Sequence, residues 1–132
     1  MEHLNCLLVI DYDHDILLSL QDALELEGYC VATASTGRQA LESLERGLRP
    51  DLILLDLMMP DISGWAFRVW QRSQVAFASI PVVVVSGQGL SPLEVAQLDV
   101  DGYLAKPLDL DHLLATVARF VPPPQQPGIA SW

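Results

Sequence analysis

Basic residues are scarce in this 132-residue sequence: six arginines and one lysine stand against seventeen aspartates and glutamates, for a formal net charge of -10. Nucleic acids and anionic membrane surfaces are bound through basic patches, so this balance argues against both as general partners. Long apolar runs are missing too. Nothing reaches the roughly 18 consecutive apolar residues that a membrane span requires. The segment from Met1 to Ile10 lacks the basic start and long apolar stretch of a secretory leader. These absences point to a cytoplasmic protein without membrane association. Cysteine is limited to Cys6 and Cys30, whose spacing matches no zinc motif. In a reducing compartment they read as free thiols buried in two separate strands. His3, His14 and His112 share no ligand spacing.

What is present is apolar: 51% of the residues are hydrophobic and only 18% are charged, which suits one domain around a well-buried sheet. Apolar runs at Leu4 to Ile10, Cys30 to Ala34, Leu52 to Leu55, Val82 to Val85 and Gly102 to Ala105 read as five short strands. Between them lie helical patterns. The first, from Asp15 to Glu27, carries a stripe of Ile16, Leu17, Leu20, Ala23 and Leu24 and stops at Gly28. The second follows Thr36 and Gly37, and the third runs from Gly64 to about Gln74 behind a Ser63 cap. Ser91, Pro92 and Glu94 spell the start of a fourth: cap, proline in the first turn, acid at the capping-box position. Asp109 caps a fifth, in which Leu110, Leu113, Leu114, Val117 and Ala118 share one face. Five strands alternating with five helices define an α/β fold, a parallel sheet between two helical layers. Right-handed crossovers then favour the flavodoxin-like order 2-1-3-4-5. Residues 1–121 form the domain, and residues 122–132, opening on three prolines, read as an extended proline-rich tail.

Polar residues gather where the strands end. Asp11, Tyr12 and Asp13 follow the first strand, Asp56 the third, Ser86 the fourth and Lys106, the sole lysine, the fifth. In open α/β sheets the carboxyl edge is where ligands bind. An unpaired carboxylate at the tip of a buried strand costs roughly several kcal/mol, so Asp56 needs a reason to be there. The set fits phosphoryl transfer to a carboxylate. Asp56 would attack and form an acyl phosphate. Mg²⁺ held by Asp56 and first-strand carboxylates would neutralise the phosphoryl oxygens, with Lys106 as a point charge on one oxygen and the Ser86 hydroxyl donating to another.

The segments LLVIDYD, DLILLDLMMPDISG, IPVVVVSG and GYLAKP, in this order, resemble the receiver domain of two-component response regulators over residues 4–121. The resemblance implies that Asp56 is the phosphoacceptor and that Ser86 and Lys106 follow the phosphoryl group. It makes Tyr103 the aromatic switch position and gives the metal, Mg²⁺, a backbone carbonyl from Met58 beside Asp11 and Asp56. It implies a sensor histidine kinase or phosphotransfer protein as donor; with no DNA-binding or catalytic segment after Phe120, output is expected through a protein partner, or the domain belongs to a longer protein. A homodimer is compatible with it. The chain is then not an enzyme beyond self-phosphorylation and autodephosphorylation at Asp56.

Three departures from the family pattern stand out. The family has two adjacent acids after the first strand; here Asp11 fills the first position and Tyr12 the second, which puts Mg²⁺ affinity in question. Asp13 is the further candidate ligand and equally a candidate cap for the first helix. The run from Ser86 to Lys106 is about two residues shorter than in typical members, around Gln88 to Pro92, and Gly87 stands where alanine is common. Tyr12 also supports an alternative, a module of this fold that works without phosphorylation. A second alternative, a phosphatase of the haloacid dehalogenase type, would use Asp11 and Asp13 as its DxD pair. That family needs a later pair of acids downstream of its lysine, which this sequence does not offer, and the sequence shows no cap domain.

Overall fold

The structure, a computed structural model, describes residues 6–124. Five parallel strands, β1 (Cys6–Ile10), β2 (Cys30–Ala34), β3 (Leu52–Asp56), β4 (Val82–Ser86) and β5 (Gly102–Ala105), alternate with α1 (His14–Leu26), α2 (Gly37–Glu45), α3 (Gly64–Ser73), α4 (Pro92–Leu98) and α5 (Leu110–Phe120). The sheet order is β2-β1-β3-β4-β5, the flavodoxin-like order expected from the alternation.

Alternating side chains split the core in two. Leu7 and Val9 of β1, with Leu52, Leu54, Val83, Val85 and Leu104, pack against Leu17, Leu20 and Leu24 of α1 and Leu113 and Val117 of α5. Leu8 and Ile10, with Ile53, Leu55 and Val82, face Ala40 and Leu44 of α2 and Phe67 of α3. Val84 meets Leu98 of α4 on that second face. β3 and β4 are buried along their full length, which explains their unbroken apolar sequences. Each leucine or valine buried there contributes about 1.5–3 kcal/mol.

The caps read from sequence form. Ser63, Ser91 and Asp109 accept backbone N–H groups at the starts of α3, α4 and α5, and Ser91 with Glu94 completes a capping box. The first helix begins one residue earlier than its apolar stripe suggests, because Asp13 is the cap and His14 the first helical residue. Likewise β3 and β4 each extend one residue past the apolar run, so that Asp56 pairs with Val85 and Ser86 with Ala105 inside the ladder. The two polar site residues are thereby strand residues, with backbone positions fixed by the sheet.

One expectation is overturned. Cys6 is half-buried and Cys30 is exposed. β2 is an edge strand, and its pattern is exposed at both Cys30 and Thr33, so a short apolar run there does not imply cover on both faces. Trp65 and Trp70, read as packing or surface aromatics, both pack against the core clusters. A buried guanidinium was not anticipated. Arg68 of α3 donates to the carbonyl of Leu98 at 3.2 Å, to that of Asp99 and to Gln71 Oε1 at 2.7 Å. It satisfies carbonyls at the end of the short α4 and ties α3 to it. At the other end, the Tyr29 hydroxyl donates to the Val121 carbonyl at 2.6 Å, closing α5 against the start of β2. No helix among the described residues is long and apolar enough to cross a membrane. Leu4, at the start of the first expected strand, and the tail from residue 125 onward lie outside the described residues.

Candidate functional site

The carboxyl ends of β1, β3, β4 and β5 meet in one crevice, since these four strands are neighbours. Asp11 follows β1 directly and is 1% exposed; Asp56 closes β3 at 3% and Ser86 closes β4 at 1%. Lys106 follows β5 and reaches back over them. Its Nζ lies 2.9 Å from Asp11 Oδ2 and 3.8 Å from Asp56 Oδ2. Its own backbone is pinned by a 2.9 Å hydrogen bond from its N–H to the Ser86 carbonyl.

Two buried carboxylates thus share one ammonium. Burial pushes the Asp56 carboxyl above its ordinary range. The Met58 N–H, donating to Oδ1 at 3.1 Å, opposes this; the nearby Asp11 charge reinforces it, and Lys106 and the Tyr12 N–H again oppose it. The local balance is one cation short. A nucleophilic carboxylate held away from water beside a compensating cation is chemically suited to in-line attack on a phosphoryl group.

The donor set also fits Mg²⁺, which favours one or two carboxylates completed by waters and phosphate oxygens. Asp11 and Asp56 would hold it, and the local excess of negative charge supplies the attraction. Among the described residues, no three His, Cys, Asp or Glu side chains form a metal-binding group.

Asp13 does not join this pair. Its Oδ1 accepts the N–H groups of Asp15 at 2.9 Å and Ile16 at 3.3 Å, so its carboxylate caps α1. Its N–H instead donates to Asp11 Oδ1 at 2.9 Å, which orients that carboxylate. The DxD pattern is therefore split between a site residue and a cap. Tyr12 is 53% exposed and Met58 57% exposed, both on the rim. Ser86 Oγ accepts the Gln88 N–H at 3.1 Å. Tyr103, half-buried on β5, donates its hydroxyl to the Gln88 carbonyl at 2.8 Å. The loop after β4 is thus held at both peptide groups of Gln88, by the Ser86 hydroxyl and by the Tyr103 hydroxyl one strand away.

Sequence reasoning missed two supports. Asp61 accepts the N–H groups of Gly37 at 3.3 Å and Arg38 at 3.0 Å at the start of α2, fixing the loop after β3. Gly64 lies so close to the strand end that a Cβ there would meet the Asp56 carbonyl oxygen at 2.5 Å and Leu57 Cα at 2.6 Å. The visible signal was the DISG segment, an acid and a glycine three residues apart just after Met58, Met59 and Pro60.

A parallel sheet of this order, with an acidic crevice and a reaching lysine at its carboxyl edge, defines a receiver-type signalling module. The model of the response regulator receiver domain matches residues 7–118, and the chain belongs to that family. The transcriptional regulatory protein PrrA of Mycobacterium tuberculosis is 40% identical over 112 residues, which cover 83% of this chain and 47% of PrrA. The chain spans about half the length of the curated relatives it matches. In structure it is similar to the chemotaxis protein CheY4 of Vibrio cholerae, with a TM-score of 0.82 and 29% identity over 90% of this chain and 100% of that one. It is also similar to the receiver domain of the sensor histidine kinase PA1611 of Pseudomonas aeruginosa, solved with a magnesium ion coordinated in its active site cleft. That likeness has a TM-score of 0.80 and 25% identity over 89% of this chain and 98% of that one. Receiver domains of this family act in two-component signal transduction and are signalling modules.

Proposed function

We propose that Asp56 is the phosphoacceptor of this receiver domain. The observation that carries the reading is the position of Lys106 Nζ within reach of both buried carboxylates, Asp11 and Asp56. The donor is a phosphohistidine on a sensor kinase or phosphotransfer protein, and self-phosphorylation from small phosphodonors follows the same route. Asp56 Oδ attacks the phosphorus in line, and the leaving group departs on the opposite side. Asp11, Asp56 and the Met58 carbonyl would hold Mg²⁺, which would neutralise the phosphoryl oxygens. Lys106 exchanges part of its contact with Asp11 for a phosphoryl oxygen. Ser86 gives up its acceptance of the Gln88 N–H and turns its own O–H toward the group.

A phosphoryl group brings nearly two negative charges and three acceptor oxygens. Turning Ser86 frees the loop that Tyr103 also holds, so the β4–α4 loop and the exposed face of α4 shift together. Output then passes to a protein partner in the cytoplasm, with residues 1–121 as the signalling domain and residues 122–132 as a separate proline-rich tail.

The test is intact mass after treatment with a small phosphodonor over a Mg²⁺ titration. One hydroxylamine-labile phosphate per chain is expected; no added mass at saturating Mg²⁺ would sink the reading. Tyr12→Asp places a third acid on the rim beside Asp11 and Asp56. It should lower the Mg²⁺ concentration needed for half-maximal labelling by roughly tenfold, a change of about 1.4 kcal/mol in metal binding. An unchanged Mg²⁺ midpoint would show that Tyr12 does not limit the metal site.

A further inference from the structure

Cys6 opens β1 and Cys30 opens β2, and the two are register partners across the parallel ladder. Both lie on the face shared by Leu8, Ile10, Ala32 and Ala34, because each is an even number of residues from these positions. Adjacent strands run about 4.8 Å apart, inside the roughly 4.4–6.8 Å Cα separation that a disulfide spans. The Cys30 thiol is close enough to perturb that of Cys6, its register partner. Cys30 is exposed and Cys6 is half-buried. Asp51 locks Cys6 from the other side, its N–H donating to the Cys6 carbonyl at 2.7 Å and its carboxylate accepting the Cys6 N–H at 3.1 Å. The pair stands at the amino-terminal edge of the sheet, at the opposite end of the strands from Asp56, and takes no part in the phosphoryl site.

We propose that Cys6 and Cys30 form a reversible oxidation site, closed into an intramolecular disulfide by a small-molecule disulfide. The accessible Cys30 thiolate attacks one sulfur of the oxidant; that S–S bond breaks, and the departing thiolate takes a proton. The product is a mixed disulfide on Cys30. Cys6 then loses its proton to solvent and attacks the Cys30 sulfur, expelling the second small thiolate. Two protein thiols are oxidised and one disulfide is reduced to two thiols.

The order of attack follows from the surroundings. Burial, then the contact with the Cys30 thiol and the charges of Cys30 and Asp51, push the Cys6 thiol up to about 11, so Cys6 is the poor first nucleophile. Once Cys30 is capped, its charge and its thiol contact are gone, and Cys6 ionises more readily. The bridge is also easily reopened. Cys30 is exposed, and exposed bridges are the reducible ones.

The test uses the full chain, fully reduced, then treated with glutathione disulfide at mildly alkaline pH, alkylated and weighed. The expected product is monomeric, lighter by two hydrogens, takes up no alkylating agent, and regains two alkylatable thiols after dithiothreitol. Cys6→Ser should instead retain a glutathione adduct on Cys30, and Cys30→Ser should stay largely unmodified. A persistent glutathione adduct on the wild-type chain with Cys6 still alkylatable would overturn the proposal. So would a disulfide-linked dimer, or two thiols that remain free throughout. None of these readouts depends on Asp56.

Discussion

Asp56→Asn is expected to abolish phosphoryl labelling and, at neutral pH, to raise the melting temperature by a few degrees. The two effects share one cause. Asp56 is buried beside Asp11, so ionising it in the folded chain is unfavourable. Burial and the Asp11 charge outweigh the help from the Met58 N–H and Lys106. A carboxyl whose value rises on folding binds its proton more tightly in the folded state. Its stabilising contribution is fully present below the ordinary value of 3.8. It is lost as pH rises through the raised folded value. Asparagine never ionises and retains that stability. It keeps an oxygen to accept the Met58 N–H, and Lys106 keeps Asp11 at 2.9 Å. The melting advantage should therefore appear above the shifted value and vanish in acid, as measured by thermal unfolding across pH. Equal melting at pH 7 would mean that the crevice solvates Asp56 well enough to leave it an ordinary carboxylate. Residual hydroxylamine-labile phosphate on the variant would mean that another residue accepts it.

Gly64→Ala should be the most damaging single methyl group near the site. The added Cβ meets backbone atoms, the Asp56 carbonyl oxygen at 2.5 Å and Leu57 Cα at 2.6 Å, and no side-chain rotation can relieve them. Alanine is the better helix former by up to about 1 kcal/mol in a helix interior. That gain is smaller than the cost of driving β3 and α3 apart, roughly 3 kcal/mol for forced backbone shifts in a packed core. A fall of about 10 °C in melting temperature is expected for a domain of this size. Phosphoryl labelling should slow as well, because the displaced atom is the main-chain carbonyl of Asp56, the proposed acceptor. A melting temperature within a couple of degrees of wild type would show that α3 can slide outward without loss of packing. By the same geometry a Cβ added at Gly37 would meet Ile62 Cβ at 2.8 Å and the Ile62 carbonyl oxygen at 2.9 Å. Glycine at the first residue of α2 and of α3 thus lets the loop between β3 and α3 lie close to both helices.

Much of this was legible in the chain itself. The continuous apolar runs of β3 and β4 are what central parallel strands require, and Ser63, Ser91 with Glu94, and Asp109 announce their helices because capping chemistry is local. The polar residues that end four strands could be collected before any coordinates, since topology alone brings those ends together. Other features were not legible for physical reasons. Cys30 lies in a strand-like run, yet whether a strand is central or at an edge depends on pairing, and β2 has a partner on one side only. Asp13 could serve either as cap or as ligand, and the choice rests on ångström-scale orientation. Arg68 reads as an ordinary helix-surface arginine until Leu98 and Asp99, about thirty residues on, present their carbonyls to it.

The sequence by itself determined the alternation of strands and helices, the positions of the caps and the identity of the residues at the sheet's carboxyl edge. Periodicity, capping and strand ends are short-range properties, and a chain carries them wherever it goes. Only the tertiary structure decided which of those residues act together. It put Lys106 between Asp11 and Asp56, turned Asp13 away to the helix, joined Ser86 and Tyr103 through Gln88, and laid Cys6 beside Cys30. The Lys106 and cysteine contacts join segments tens of residues apart and are fixed by sheet register and close packing, whereas the Asp13 and Ser86 contacts are local choices that only side-chain orientation decides.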